Sequence, residues 1–340
     1  MLNVGASGGM TLQLQKMKIF IAVALLAGFG SLNAQEMQEL TDSVAHHHFV
    51  DIISVHRDRS YITAGGGFGN LTPLMFEGRL SPGFLITLRH KNRAILLNPQ
   101  VTVRMEHRRS FPVNSPSYKA KLFYFQGIDS WKDTFMKKIF YDQALWYADI
   151  SHFSNGGGES FYSNSADRIV DFDKGSFSTD YATLGITTYQ TKRVTNGMSA
   201  FRIARASFEG HFPNSTTSEM QKVYGQYRFY VTWKSGGLLN DTQGAWLRKW
   251  RQHSGIEIQT GWIAGKMTDI SSADVNKRWM LDISYSYSPR WFKEISFFTR
   301  FYRGQDYYNI YFVNTIHMLS FGITANMMNP GQVVKTIGKK

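Results

Sequence analysis

The amino-acid sequence of 340 residues contains no cysteine and only eight prolines, and just 19% of its residues are charged. The lack of cysteine excludes disulfide frameworks, thiolate metal sites, cysteine nucleophiles and a lipidated N-terminal cysteine. Long hydrophobic runs are missing as well. The one sustained run covers residues 19–29, which is shorter than the roughly 20 residues that a membrane-spanning helix requires. The sequence therefore predicts no helical membrane anchor.

The short apolar run is typical of a secretory signal peptide. Lys16 and Lys18 precede it, and the sequence Ser-Leu-Asn-Ala at positions 31–34 follows it. We therefore predict cleavage after Ala34. An exported chain without a spanning helix is periplasmic, secreted, or embedded in an outer membrane as a barrel.

Strict alternation of apolar and polar residues recurs along the rest of the chain. Tyr227, Phe229 and Val231, for example, alternate with polar residues such as Arg228. A soluble sandwich also alternates, so the period alone does not decide the class. Large aromatic residues mark the ends of the apolar faces, and Arg, Glu and Gln occupy the middles of the polar faces. This distribution is typical of the aromatic girdle and hydrated interior of a membrane barrel.

About twelve strand-like segments follow residue 34, at a spacing suited to membrane strands of ~9–11 residues with connecting loops. The sequence therefore predicts an all-β fold, an antiparallel transmembrane β-barrel of about 12 strands, with ten or fourteen as alternatives. The predicted strands start near Ser60, Phe84, Ala94, Tyr118, Gln143, Thr179, Ala200, Val223, Gly255, Arg278, Glu294 and Ile316. The predicted segments are a signal peptide at 1–34, an N-terminal segment at 35–58, the outer-membrane barrel at 59–328 and a polar C-terminal tail at 329–340.

Candidate catalytic residues lie at the ends of two apolar rows. In the segment 143–154 the even positions form an apolar row that ends in His152 and Ser154, and Asp180 begins the apolar row of the next segment. An imidazole and a hydroxyl do not help a barrel stay in hydrocarbon. Histidine, serine and aspartate on one outer face are instead the parts of a nucleophilic acyl-transfer site.

The sequence His-Phe-Ser-Asn-Gly at 152–156 resembles the H-x-S-N-G motif of the outer-membrane phospholipase A family. Residues 302–309 and 320–326 are similar to the end of that family's barrel. The resemblance implies a barrel whose catalytic triad faces outward and whose substrate is the acyl ester of a phospholipid. It implies that Ser154 is the nucleophile, His152 the base and the Gly156 amide an oxyanion donor.

The family's third triad member is an Asn in an S-x-N context, and two positions here fit that context. Spacing from Ser154 favours Asp167, whereas face parity favours Asp180, and we prefer Asp180. The resemblance also implies calcium beside the site, often across a homodimer interface. The Gly157 carbonyl matches the family's calcium position, and Asp171 and Asp173 are further oxygen ligands of the right type.

Two rival functions remain open. Lipid A deacylases of the outer membrane also carry a His-x-Ser pair and a carboxylate, although on smaller barrels, and a structural or porin-like barrel needs no catalytic residue. The net charge of +13 is scattered along the chain, which favours phospholipid or lipopolysaccharide headgroups over nucleic acid as partners. Less specific signals have plainer interpretations: His46–His48 as a solvated stretch, Asp306 and Asn309 in interior hydrogen bonds, and Arg228, Glu257 and Arg300 in a lumenal ion network.

Overall fold

The structure, a computed structural model, describes residues 44–63, 68–88, 92–128, 131, 141–194, 197–216, 218–237, 250–289, 291–292 and 295–325. The predicted signal peptide at 1–34 and the predicted tail at 329–340 lie outside the described residues. In the described part of the chain the strands are β1 (Tyr61–Thr63), β2 (Phe68–Gly69), β3 (Leu74–Leu80), β4 (Phe84–Leu88), β5 (Arg93–Glu106), β6 (Ser117–Gly127), β7 (Gln143–Ser154), β8 (Tyr162–Asn164), β9 (Ile169–Val170), β10 (Ser178–Val194), β11 (Gly197–His211), β12 (Tyr227–Gly237), β13 (Ser254–Ala264), β14 (Trp279–Tyr287), β15 (Ile295–Gln305) and β16 (Thr315–Ala325).

The strands form a closed antiparallel barrel, because β1 pairs with β16 as well as with β3. β1 and β2 pair with successive parts of β16, and β3 and β4 with successive parts of β5, so each of these two pairs forms one interrupted strand of the wall. Together with ten continuous strands they make a wall of twelve strands in the described residues. The predicted all-β fold and strand number are confirmed. The short strands β8 and β9 form a separate hairpin.

Two predicted strand starts differ from the structure. Val223 lies within a helix (Ser218–Tyr224), and β12 begins only at Tyr227. The sequence predicts a strand from Phe84, but the interrupted strand already begins at Leu74. Ser-Pro-Gly at 81–83 separates its two parts, and proline cannot donate to the hydrogen-bond ladder of a strand. The earlier part, Leu74–Leu80, was therefore not recognised as part of the wall.

The two faces of the wall differ in chemistry. Outward side chains such as Leu184 (59% exposed), Val231 (58%) and Phe229 (51%) form an apolar belt, while Arg104 (1%) and Arg228 (3%) point inward. An exposed apolar band around a polar interior is the pattern of a transmembrane barrel.

A helix, α1 (Val44–His56), packs inside the barrel. Its apolar side chains belong to one cluster with Leu145 and Tyr147, near the beginning of β7. Because Ser154 is at the other end of β7, α1 fills the end of the lumen remote from Ser154. The apolar residues of α1 (Phe49, Ile52, Ile53 and Val55) contact inward residues of five neighbouring strands (Ala94, Leu96, Phe123, Phe125, Leu145, Tyr147, Tyr189, Phe201 and Ile203). No secondary structure is predicted for this segment above, although the spacing of its apolar residues is helical.

Two shorter helices lie in loops, α2 (Ser218–Tyr224) and α3 (Val275–Arg278). No helix in the described part of the chain is long enough and apolar enough to cross a membrane. The side chains of His46–His48 lie outside the described part of the structure, so their solvated placement stays a prediction.

Candidate active site

The candidate residues lie on β7 and β10, which are antiparallel neighbours. In the register of this pair His152 is opposite Asp180, and Ser154 follows His152 by two positions. Phe153, between them, points inward and lines the central cavity. Since successive side chains of a strand point to opposite faces, His152 and Ser154 face outward. The structure thus brings an imidazole, a hydroxyl and a carboxylate together on the outer wall.

His152 lies between the other two side chains. Its Nδ1 is 2.7 Å from Asp180 Oδ1, and its Nε2 is 3.1 Å from Ser154 Oγ. An ionised carboxylate only accepts hydrogen bonds, so Nδ1 carries the ring proton and Nε2 is left to accept the proton of the Ser154 hydroxyl. The His152 and Asp180 side chains are 36% and 41% exposed. A lipid at the barrel surface can therefore contact them without any opening of the fold.

A turn between β11 and β12 holds the backbone at Asp180. The Asp180 N–H donates to Ser215 Oγ (3.0 Å), and the Phe212 N–H donates to the Asp180 carbonyl (2.8 Å). The Ser215 hydroxyl in turn donates to the Phe212 carbonyl (3.0 Å). These bonds fix the end of β10 and hence the carboxylate that faces His152. Ser215 is not predictable from the sequence, because this contact joins residues from different hairpins and leaves no local pattern.

Asn155 braces the loop that follows Ser154. Its Oδ1 accepts hydrogen bonds from the N–H groups of Gly157 (3.0 Å) and Phe177 (2.9 Å), and its Nδ2 donates to the Gly175 carbonyl (2.8 Å). Gly156, between Asn155 and Gly157, has φ = +73°, in the left-handed region that favours glycine. Its N–H has no acceptor among the described residues, so it is free to donate to an oxyanion. The sequence predicts no role for Asn155 beyond its place in the motif at 152–156.

A second histidine network lies behind the outer wall. Thr179 Oγ1 is 2.9 Å from His211 Nδ1 and 2.8 Å from Thr216 Oγ1, and His211 Nε2 is 2.9 Å from Glu209 Oε1. Arg228 contacts both Glu209 and His211. Because the Thr179 side chain is fully buried, these groups support the wall from inside and are closed to a lipid outside.

Asp167, the second choice for the third triad member, lies apart from His152. It occupies the exposed turn between β8 and β9, where it accepts a hydrogen bond from Asn164 Nδ2 (2.7 Å). The geometry therefore favours Asp180 over Asp167.

The predicted calcium ligands do not form a metal-binding group. Among the described residues, no three His, Asp or Glu side chains come together as a set that could hold a metal ion. Asp171 Oδ1 instead accepts hydrogen bonds from the N–H groups of Lys174 (2.9 Å) and Asp173 (3.1 Å). These backbone bonds, that of Lys174 first, hold the pKa of Asp171 below its usual value. Gly157, Asp171 and Asp173 as they stand do not fit a resident calcium ion, and no chemical step is assigned to one.

Asp306 and Asn309 are buried and bonded to neighbouring elements. Asp306 forms a bidentate pair with Arg104 (2.7 and 2.9 Å). Asn309 Nδ2 donates to the Ser115 carbonyl (2.7 Å). Both residues therefore serve interior hydrogen bonding, as the sequence analysis favours.

The barrel is similar to solved structures of outer membrane phospholipases. An active-site mutant of the outer membrane phospholipase A from Escherichia coli is 13% identical, with a TM-score of 0.51, over 84% of this chain and 99% of that chain. The Salmonella typhi outer membrane phospholipase dimer with bound calcium is 13% identical, with a TM-score of 0.49, over 79% of this chain and 90% of that chain. Neither a protein-family model nor a curated protein matches the sequence. At 13% identity, the similarity to the Escherichia coli structure shows a shared fold.

Proposed function

We propose that this protein is an outer-membrane serine hydrolase of the phospholipase A type. The observation that carries the proposal is the position of His152 between Asp180 and Ser154 on the outer wall, at 2.7 and 3.1 Å. Serine is a weak nucleophile until a base removes its proton, and the base needs a partner that fixes its tautomer. Both requirements are met by these three side chains.

In the first half of the reaction, Ser154 Oγ attacks the carbonyl carbon of the acyl ester while His152 Nε2 takes the hydroxyl proton. The ester carbonyl oxygen becomes an oxyanion, and the Gly156 N–H donates to it. When the ester C–O bond breaks, His152 returns the proton to the leaving alkoxide. The lysophospholipid leaves, and the acyl group stays bound to Ser154.

In the second half, a water molecule attacks the acyl-enzyme. His152 Nε2 takes a proton from this water, and the Gly156 N–H again donates to the oxyanion. The bond to Ser154 Oγ then breaks, His152 returns the proton to Oγ, and the fatty acid leaves. Asp180 stays ionised throughout and stabilises the imidazolium that forms twice in each cycle.

The surroundings of the trio suit an amphiphilic substrate. Ile150 is 42% exposed directly below His152 on β7, and Leu184 is 59% exposed below Asp180 on β10. Exposed Tyr118 (42%) lies opposite Ser154 on β6, and exposed Phe212 (44%) directly follows β11. An ester at the headgroup boundary, with its acyl chains along these apolar residues, places its carbonyl beside Ser154. The substrate is accordingly an outer-leaflet lipid, and we place the chain in the bacterial outer membrane.

The test is release of fatty acid from phosphatidylethanolamine by the purified barrel in detergent, measured with calcium and with a chelator because the motif at 152–156 implies a calcium-dependent family. Ser154→Ala should abolish the release while heat-modifiable gel migration, the mark of a folded barrel, is unchanged. Equal release by the wild type and by Ser154→Ala contradicts the proposal.

A carboxylate such as Asp180 as the third triad member also suits a lipid A deacylase. Deacylation of lipid A is therefore the second candidate function. The same preparation is therefore offered lipopolysaccharide, and the acyl chains of lipid A are counted by mass spectrometry. Loss of a lipid A chain without any hydrolysis of phospholipid favours the deacylase. If neither lipid changes, the barrel is structural. Cross-linking in detergent tests whether a homodimer forms.

A further inference from the structure

The lumen of the barrel holds a cavity of about 290 Å³, far more than the ~10–15 Å³ that one water molecule needs. Its described walls carry nine Lys and Arg side chains but only six carboxylates. The cations are Arg57, Arg59, Arg79, Lys119, Lys121, Arg205, Arg228, Lys234 and Arg300, and the carboxylates are Asp58, Asp149, Glu209, Glu257, Asp282 and Asp306. The lining therefore carries an excess of positive charge.

Five of these cations contact a carboxylate of the lining. Arg59 and Lys234 share Glu257, and the other pairs are Lys121 with Asp58, Arg228 with Glu209 and Arg300 with Asp282. The other four, Arg57, Arg79, Lys119 and Arg205, form no ion pair among the described residues. Arg205 instead contacts His56 and Thr232. Arg79 and Lys119 both lie within electrostatic range of Asp58, which already pairs with Lys121. Three cations therefore surround one carboxylate at this part of the cavity.

Arg79 and Lys119 lie close together on the inner wall. Arg79 is opposite Thr102 of β5, and Lys119 on β6 is opposite Gln100, two positions further along β5. Arg79 Nε donates to Thr102 Oγ1 (3.3 Å), and its guanidinium carbon lies 4.9 Å from the centre of the Tyr61 ring. Lys119 Nζ lies 4.1 Å from the centre of the Phe153 ring. Lys121, two positions from Lys119 on β6, binds Asp58 at 2.7 Å.

We propose that the lumen binds a phosphate-class oxyanion between Arg79 and Lys119. The forked guanidinium of arginine matches the oxygens of phosphate, and the ammonium of lysine adds a compact positive charge. The surrounding barrel wall screens these charges less than bulk water does, which strengthens their attraction for an anion. This inference does not rest on the proposed hydrolase activity.

The experiment uses the folded full-length barrel in detergent. Its unfolding temperature, followed by heat-modifiable gel migration, is compared in sodium phosphate and in sodium chloride at equal ionic strength, and equilibrium dialysis with labelled phosphate gives the stoichiometry. A ligand that binds only the folded state raises the unfolding temperature. We expect such a rise in phosphate alone, with one phosphate bound per chain.

Variants locate the site. Lys119→Met keeps an apolar stem on Phe153 and should abolish the phosphate response. It should also raise the unfolding temperature in phosphate-free buffer, because it removes one of three cations that repel each other around Asp58. Arg79→Gln should abolish the response too, whereas Arg168→Gln, which alters an exposed loop pair with Asp269, should keep it. Identical unfolding in the two salts without bound phosphate overturns the proposal, as does a full phosphate response in Lys119→Met or Arg79→Gln. If one of these two variants fails to fold, the phosphate response of the other variant and the phosphate bound by the wild type in dialysis test the proposal.

Discussion

The outer wall and the lumen each hold a histidine between a hydroxyl and a carboxylate. Outside, His152 faces Asp180 through Nδ1 and Ser154 through Nε2. Inside, His211 has the reverse arrangement, with a threonine hydroxyl at Nδ1 and Glu209 at Nε2. Similar side chains at similar distances thus occur on the two faces of one sheet. The two groups meet at β10, where Thr179 and Asp180 are consecutive residues.

The surroundings give the two histidines different capacities. His152 and its carboxylate are partly exposed on the apolar outer face, and the Gly156 N–H, two residues after the Ser154 hydroxyl, has no acceptor among the described residues. Around His211 the hydroxyl of Thr179 is buried and shared with Thr216, and Glu209 is also bonded to Arg228. Access and a free oxyanion donor, rather than the trio of residue types, therefore distinguish a candidate active site from a structural network.

The largest expected difference comes from the matched substitutions His152→Gln and His211→Gln. His152→Gln removes the base and should lower kcat about a thousandfold or more, as loss of a triad member does in serine hydrolases. Its unfolding temperature should stay near that of the wild type, because the side chain is partly exposed.

His211→Gln should act in the opposite way. It disturbs a buried network and should cost about 1–3 kcal/mol of stability, while the activity per folded molecule stays within a few-fold of wild type. Fatty-acid release, normalised to the folded band on a gel, measures both variants. A folded His211→Gln as inactive as His152→Gln contradicts the distinction between the two regions.

The next largest effect concerns the third triad member. Asp180→Ala should lower kcat by about a hundredfold or more, because no acceptor at Nδ1 then fixes the histidine tautomer. Asp167→Ala, in the exposed β8–β9 turn, is the matched control and should be close to wild type in the same assay. The reverse order would assign the role to Asp167.

Asn155→Ala should have an intermediate effect. Without its three hydrogen bonds the loop loses the fixed position of the Gly156 N–H, and we expect kcat to fall by about 10–100-fold, less than or similar to the loss of an oxyanion donor itself. The measurement is kcat and KM for a short-chain ester. A rise in KM alone would show that Asn155 acts in binding and not on the oxyanion.

Ser215→Ala should have the smallest effect of the four. It removes the hydroxyl that accepts from the Asp180 N–H, a bond worth about 0.5–1.5 kcal/mol, so kcat should fall only several-fold. Ser215→Thr keeps the hydroxyl and should restore most of the rate. If Ala and Thr behave alike in kcat, the turn does not position Asp180.

The fold could be predicted from the sequence largely because a membrane barrel repeats one simple pattern. Alternation along Tyr227–Trp233 marks both the strand and its lipid-facing side, and the structure turns Phe229 and Val231 outward as expected. The prediction was incomplete where the pattern is interrupted, as at the proline between β3 and β4. It also missed α1, because a segment that packs inside a barrel has the composition of any short amphipathic stretch.

The candidate site could be predicted only in part. Parity alone put His152, Ser154 and Asp180 on one face, since adjacent strands keep their register over short distances. Ser215 could not be predicted, because its role depends on how the β11–β12 turn folds back on β10. The carboxylates Asp171 and Asp173 had the right chemistry for calcium, but no sequence pattern shows that Asp171 caps its own loop.

The central claim is that the Ser154 hydroxyl on the outer wall is an activated nucleophile. The most direct measurement is treatment of the folded barrel with a fluorophosphonate, which phosphonylates activated serines with loss of fluoride, followed by mass-spectrometric mapping of the modified peptide. We predict one label per chain on Ser154, and none in His152→Gln. A folded wild-type barrel that stays unlabelled, or carries its label on another residue, would contradict the account.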